Sequence, residues 1–180
     1  MSTLALTTDA VTLSIGILVA RLFLGLLMAA HGSQKLFGWF GGYGLAGTGG
    51  FFESLGFRPG RLFATVAAVT EVGSGLLIAL GFLGPVGPAL LLSVMIVAAV
   101  TVHLRHGVFA ATNGIEVPLL YGVGAVALAL TGPGLFSLDA LVGLDTLWTP
   151  ALALVALGVG IAGSIGNLVL RRPATAAPAA

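Results

Sequence analysis

The chain has 180 residues and a formal net charge of +1, and only 7% of its residues are charged, against about 25% in a typical soluble domain. Of its residues, 58% are hydrophobic, and its mean hydropathy is +1.14. This composition excludes a soluble globular enzyme, because so few charges cannot cover a water-facing surface. It also excludes a disordered chain, which needs high charge and low hydrophobicity. The composition predicts an integral membrane protein, and its 28 glycines allow helices to approach closely in lipid.

Five apolar segments approach the length of about 20 residues that a helix needs to cross a bilayer. They are residues 11–30, 62–83, 86–102, 117–131 and 150–170. In lipid, each segment must satisfy its own backbone polar groups, so each is predicted to be a helix. We expect residues 1–10 to form an N-terminal tail and residues 171–180 to form a disordered cytoplasmic tail.

The connection between the first two predicted spans is rich in aromatic residues. It contains Phe37, Trp39, Phe40, Tyr43, Phe51, Phe52 and Phe57. Aromatic side chains are enriched where a membrane meets water. Residues 48–57 are therefore predicted to form a short amphipathic helix in the membrane plane. The alternative is that these rings plug the mouth of the helix bundle.

The basic residues of the connections predict the orientation of the chain. In a five-span topology, six of them fall on one side: Lys35, Arg58, Arg61, Arg105, Arg171 and Arg172. The excess of Lys and Arg in cytoplasmic loops places the N-terminus outside and the C-terminus in the cytoplasm of a plasma (inner) membrane. A four-span alternative, with residues 117–131 re-entrant, would place the tail arginines outside.

Two ionisable residues, Arg21 and Glu71, lie deep within predicted spans. A charge at the bilayer centre costs at least about 2.5 kcal/mol on insertion scales, so each needs a partner. Counted from the outer ends of their spans, the two depths differ by about 3 Å. This predicts an Arg21–Glu71 pair, which would either fix the helix register or line a polar pocket.

A second group of polar residues lies at the predicted cytoplasmic helix ends. It consists of His31, Gln34, Lys35, His103 and Glu116. Together with Arg21, it is predicted to line a polar stripe that leads from the cytoplasm toward Glu71. Such a stripe beside aromatic surface suits a quinone or a lipid head group, although helix capping and snorkelling are the alternatives.

Other chemistries find little support in the sequence. The absence of cysteine excludes disulfides, thiolate metal sites and CxxC redox pairs. Electron transfer would therefore need a bound cofactor or a partner protein. The histidines show no metal-ligand spacing, so no metal site is predicted, and the near-neutral charge predicts no nucleic-acid partner.

Taken together, these motifs resemble the DoxX family of membrane proteins over roughly residues 15–142. The resemblance rests on RLFLGLLMAAHGSQKLFGWFGG, GTGGFFESLGF, Glu71 in a glycine-rich helix, HLRHGVF, Asn113-Gly114, Glu116, LTGPG and SLDA. It implies a four-helix membrane bundle over residues 11–142, with a fifth helix at residues 150–170 beyond it. The residues that would carry over are Arg21, His31, Gln34, Lys35, Glu53, Glu71, His103 and Glu116, none with an assigned catalytic role.

The resemblance also implies a link to oxidoreductases, because members of the family are associated with thiosulfate:quinone oxidoreductase and with complexes of oxidative-stress defence. The working hypothesis is a membrane subunit of an oxidoreductase system with a quinone- or lipid-binding pocket in its cytoplasmic half. The alternatives are a non-enzymatic accessory subunit and a small-solute transporter. Small residues in the fifth helix, such as Ala162 and Gly166, predict contact with a partner protein or a second copy.

Overall fold

The structure, a computed structural model, describes residues 3–172, with side chains from residue 8 onward. Within that part of the chain it is helical and has no strand, which confirms the predicted all-α class. Its α-helices are α1 (Thr3–Phe37), α2 (Gly44–Ser54), α3 (Gly60–Leu80), α4 (Val86–Ala98), α5 (Glu116–Thr131), α6 (Leu138–Val142) and α7 (Pro150–Val169). A π-helical stretch, Ala99–His103, extends α4.

Four helices are long and apolar enough to cross a bilayer. They are Thr8–Phe37, Gly60–Leu80, Val86–His106 and Pro150–Val169. The chain is therefore a multi-pass membrane protein in a lipid bilayer, as predicted. The remaining predicted span, the fourth in chain order at residues 117–131, corresponds to α5, whose 16 residues measure about 24 Å, less than the hydrocarbon core of about 30 Å.

Helix α5 nevertheless runs from one end of the bundle to the other. At its start, Glu116 Oε2 accepts a hydrogen bond from Ala110 N at 2.7 Å, beside the end of α4. After its end, Asp139 N donates to Gly81 O at 3.1 Å, at the end of α3. The helix therefore returns the chain to the side on which α3 ends, and α7 then runs in the same direction as α4.

Helices α1 and α3 form the largest helix–helix interface of the described chain. Glycine makes this contact possible, because a Cβ on Gly25 would lie 2.5 Å from Gly75 O, and one on Gly32 would lie 2.8 Å from Ala68 O. The two backbones therefore touch at two levels. Such close contacts between small residues fix the antiparallel register of the two helices.

Part of the α7 surface that is predicted to contact another chain packs against α4 of the same chain instead. A Cβ on Gly160 would lie 2.5 Å from Ala89 O of α4, and Gly163 faces Ser93. Gly158 and Gly166 face open space. Gly158 and Gly166, together with the exposed Ala162, are therefore free for the contact with another chain that the sequence predicts.

The six basic residues of the connections lie at one end of the bundle, which we call the basic end. It is the end at which α1, α4 and α7 finish and α3 begins. Arg171 Nε donates to Leu55 O at 2.5 Å, and Arg172 N donates to Gly56 O at 2.8 Å, just after α2. We call the opposite end of the bundle, where α3 ends and α4 begins, the Asp139 end.

Both predicted tails need correction. The sequence predicts an N-terminal tail at residues 1–10, but α1 begins at Thr3, because no proline or glycine interrupts the helix before Val11. It predicts a C-terminal tail at residues 171–180, but Arg171 and Arg172 are hydrogen-bonded to Leu55 and Gly56, just after α2. The rest of the predicted disordered tail, 173–180, lies outside the described residues.

Candidate functional site

The ion pair at the centre of the candidate site joins Lys35 to Glu71. Lys35 lies in the last turn of α1, and its Nζ donates a hydrogen bond to Glu71 Oε1. Glu71 is 1% exposed, whereas the side chain of Lys35 is 33% exposed. The contact between Gly32 and Val72 brings the end of α1 level with Glu71, so the long lysine side chain reaches the carboxylate.

The predicted Arg21–Glu71 pair is wrong. Arg21 lies at the Asp139 end, where its Nη2 donates to Phe136 O at 2.6 Å and its guanidinium lies against Gly81. Glu71 is about 15 Å further along α3. Hydropathy gives the limits of an apolar segment but not the register of two helices, which the glycine contacts between α1 and α3 set.

Asp139 is a buried acidic residue whose role the sequence did not reveal. It is 0% exposed, and its carboxylate accepts hydrogen bonds from Leu83 N at 2.9 Å, Gly84 N at 2.7 Å and Trp148 Nε1 at 2.7 Å. It also acts electrostatically on Arg21. Asp139 therefore ties the α3–α4 turn to the segment before α7. The signal that could have revealed it is its rarity, as one of six acidic residues in the chain.

A cleft of about 840 Å³ lies between α2, α3, α4 and α7, and the Lys35–Glu71 pair is part of its lining. Its polar lining includes Gln34, Lys35, Tyr43, Thr48, Thr70, Glu71, Ser93, Thr101, His103 and Asn167. Its apolar walls include Phe51, Phe52, Phe57, Phe63, Val66, Val94 and Val97. The cleft thus combines apolar walls with a set of polar side chains and one ion pair, and it lies at the basic end of the bundle.

The predicted site residues divide into two groups. Four of them line the cleft: Gln34, Lys35, Glu71 and His103. The other three, Arg21, His31 and Glu116, do not. The predicted stripe from the basic end through Arg21 to Glu71 is therefore wrong, because Arg21 and the cleft lie at different levels of the bundle.

His31 and Glu116 have local structural contacts instead. His31 is exposed, with its Nδ1 3.1 Å from Gln34 Oε1, and its ring meets the ring of Tyr121 edge-on at 6.3 Å. Glu116 accepts a hydrogen bond from the loop before α5. These contacts orient helix ends and leave neither side chain in the cleft.

His103 lies in the cleft lining and is hydrogen-bonded to the loop before α5. Its Nδ1 is 2.8 Å from Asn113 O. A carbonyl oxygen only accepts hydrogen bonds, so Nδ1 is the donor. In the neutral ring, Nε2 is then left as an acceptor.

The predicted aromatic segment also divides into two parts. Phe37, Trp39, Phe40 and Tyr43 are largely exposed, as expected for rings at a membrane surface. Phe51, Phe52 and Phe57 line the cleft, and Phe57 is 1% exposed. Phe52 and Phe57 therefore face the bundle, whereas Phe51 lines the cleft but is 48% exposed, and the position of α2 in the membrane plane stays a prediction.

Among the described residues, a few buried polar atoms have no hydrogen-bond partner: Arg21 Nε, Arg21 Nη1, Glu71 Oε2 and His106 Nδ1. Glu71 Oε2 is the one that belongs to a residue of the cleft. A buried acceptor without a partner is costly, so a donor on a bound molecule would be favoured there. Within residues 8–172, no group of three acidic or histidine side chains could hold a metal ion.

Comparison with known proteins relates this site to a family. The DoxX family model matches residues 16–104, which include Lys35, Glu71 and His103. The inner membrane protein YqjF of Escherichia coli strain K12 is 30% identical over 127 residues, which cover 71% of this chain and 92% of YqjF. No solved structure matches the chain. The chain belongs to the DoxX family of membrane proteins.

Proposed function

We propose that this protein is a membrane subunit of an oxidoreductase system and that its cleft binds a quinone-type molecule, a polar ring on an apolar tail. The observation that carries the proposal is the cleft itself, with an ion pair in its lining and phenylalanine and valine along its walls. Small-molecule sites are mostly apolar with a few placed polar groups, and they enclose about 300–1,000 Å³. The cleft, at about 840 Å³, has this character and size.

The residues present fit such a ligand. Lys35 has three N–H donors, of which Glu71 occupies one, so the others can serve a ring carbonyl. The phenylalanine walls can hold the ring and tail. A bound quinone would supply redox chemistry that the side chains of this cysteine-free chain lack, while the residues of the cleft would position the ring and keep water from it.

The proposed location is the inner membrane, the compartment in the name of YqjF. The proposed orientation has the N-terminus outside and the C-terminus in the cytoplasm, following the positive-inside rule. The cleft lies at the basic end, so it would be in the cytoplasmic half of the bilayer. A quinone could then enter between helices from the lipid.

The alternative is an accessory subunit that binds no small molecule and acts through protein contact. The observation in its favour is the uncovered face of α7, where Gly158 and Gly166 meet open space. Small residues on an uncovered helix face favour close contact with another helix. This role predicts a stable protein partner and no saturable ligand binding.

The experiment is equilibrium binding of a benzoquinone with a decyl tail to the protein in lipid nanodiscs, with empty nanodiscs as the baseline. The wild type should bind about one molecule per chain. Val97→Trp, which fills the cleft, should abolish binding, whereas Val100→Trp, on the exposed side of the same helical segment, should retain it. Saturation equal to that of empty nanodiscs, or equal binding by both variants, would refute the proposal.

A further inference from the structure

We infer that the cleft binds the reduced, hydroxyl-bearing form of its ring more tightly than the oxidised, carbonyl-bearing form. The inference rests on the proposed function and adds the redox form that the site prefers. It starts from one atom: Glu71 Oε2, which is buried and has no hydrogen-bond partner within the described residues.

The unpaired atom of Glu71 can only accept a hydrogen bond. Glu71 forms an ion pair with Lys35 through its other oxygen, and a carboxylate has acceptors and no donor. The ring carbonyls of a quinone are also acceptors, so they repel this oxygen. A ring hydroxyl donates to it, and a hydrogen bond to a charged group in a buried site is among the strong ones.

His103 has the same preference, by an independent contact. Its Nδ1 donates to Asn113 O, and when the ring is neutral its Nε2 is an acceptor. Two side chains of the cleft lining, Glu71 on α3 and the neutral ring of His103 at the end of α4, therefore offer acceptors. Both favour a ligand that carries hydroxyl groups.

Lys35 does not reverse this preference. Its side chain is 33% exposed, so water can accept hydrogen bonds from its remaining N–H groups when no ligand is present. Glu71 Oε2 is buried, so bulk water does not solvate it in the same way. The gain from a new partner is therefore larger at Glu71, and it is available only to the reduced form.

The size of the effect follows from one charge-assisted hydrogen bond. Such a bond favours the reduced form by about tenfold or more in Kd. Tighter binding of the reduced form raises the midpoint potential of the bound couple, by about 30 mV per tenfold ratio for two electrons. The preference would thus make the bound quinone a better electron acceptor than the quinone in the surrounding lipid.

The test compares the Kd of a decyl-tailed benzoquinone with the Kd of its hydroquinone, kept reduced with dithionite under argon, in the same nanodiscs. The wild type should bind the hydroquinone about tenfold more tightly. In Glu71→Gln the ratio should fall toward one, because an amide offers both a donor and an acceptor. Asp145→Asn removes an exposed carboxylate at the Asp139 end and should keep the wild-type ratio.

The outcomes separate this inference from the proposed function. Equal Kd values for the two forms in the wild type, or tighter binding of the quinone, would overturn the inference and leave the proposed function standing. Binding of neither form would overturn both. If Glu71→Gln does not fold, Lys35→Met/Glu71→Gln replaces the whole pair by neutral side chains, and a tenfold ratio that persists there would also overturn the inference.

Discussion

Lys35 at the end of α1 and Glu71 in the middle of α3 form an ion pair in which the acid is buried and the base is partly exposed. The pair joins the two helices of the largest interface in the described chain and lies in the lining of the cleft. The pair therefore contributes both to the contact between α1 and α3 and to the chemistry of the cleft. Unfolding and ligand binding measure these two contributions separately.

Removing one partner of the pair should cost more than removing both. Lys35→Met leaves the buried Glu71 carboxylate uncompensated, and we expect a loss of about 1–3 kcal/mol of stability. Lys35→Met/Glu71→Gln should lose less, because no buried charge remains. Thermal unfolding followed by circular dichroism in detergent measures the difference. Arg105→Met, an exposed cation at the same end, is the control and should be near neutral. A double variant as unstable as the sum of its single variants would contradict the pairing.

Arg21 and Glu71 should be energetically independent. They lie about 15 Å apart along the bundle, so the effects of Arg21→Leu and Glu71→Gln on unfolding free energy should add to within about 0.5 kcal/mol. A double-mutant cycle in the same assay measures their coupling. A coupling well above 1 kcal/mol would restore the direct pair that the sequence predicts.

Gly81→Ala should prevent normal packing at the Asp139 end. Gly81 has φ 63°, which disfavours a side chain by about 1–2 kcal/mol, and an added Cβ would overlap the guanidinium of Arg21. We expect a loss above about 2 kcal/mol. Gly73→Ala, in the same helix with open space around it, should be neutral or stabilising by up to about 1 kcal/mol. Equal effects of the two substitutions on the unfolding temperature would contradict this account of Gly81.

Asp139→Asn should loosen the α3–α4 turn. The carboxylate holds Leu83 N, Gly84 N and Trp148 Nε1, and the amide has one acceptor oxygen instead of two. The expected cost is about 1–3 kcal/mol, with a red shift of Trp148 fluorescence in a Trp39→Phe background. Asp145→Asn, which is exposed, is the matched control. An unchanged spectrum and unfolding temperature in Asp139→Asn would show that these hydrogen bonds are not needed.

The orientation of the chain can be tested cleanly because it contains no cysteine. Thr146→Cys lies exposed at the Asp139 end, and Ala111→Cys lies exposed in the loop before α5 at the basic end. Following the positive-inside rule, a membrane-impermeant maleimide should label Thr146→Cys from outside the inner membrane and should label Ala111→Cys only after that membrane is permeabilised. The reverse pattern would invert the proposed topology.

Much of the architecture was predictable from the sequence because lipid limits the choices. A chain with so few charges must be embedded, and a span in hydrocarbon must satisfy its own backbone polar groups, so apolar length alone predicts helices. The grouping of the basic residues at one end also follows from their order along alternating helices. Polar groups at helix ends and within spans are rare, so the sequence alone predicts four residues of the cleft lining. They are Gln34, Lys35, Glu71 and His103.

The partner of Glu71 was decided only by the tertiary structure. Hydropathy is nearly uniform along an apolar helix, so it carries no information on how far one helix slides along another. The contacts of Gly25 and Gly32 with α3 set that position, which brings Lys35 to Glu71 and sends Arg21 toward Asp139. The cleft likewise depends on where α2 and α7 pack. The sequence determined which charges enter the membrane, and backbone contact between small residues decided which of them meet.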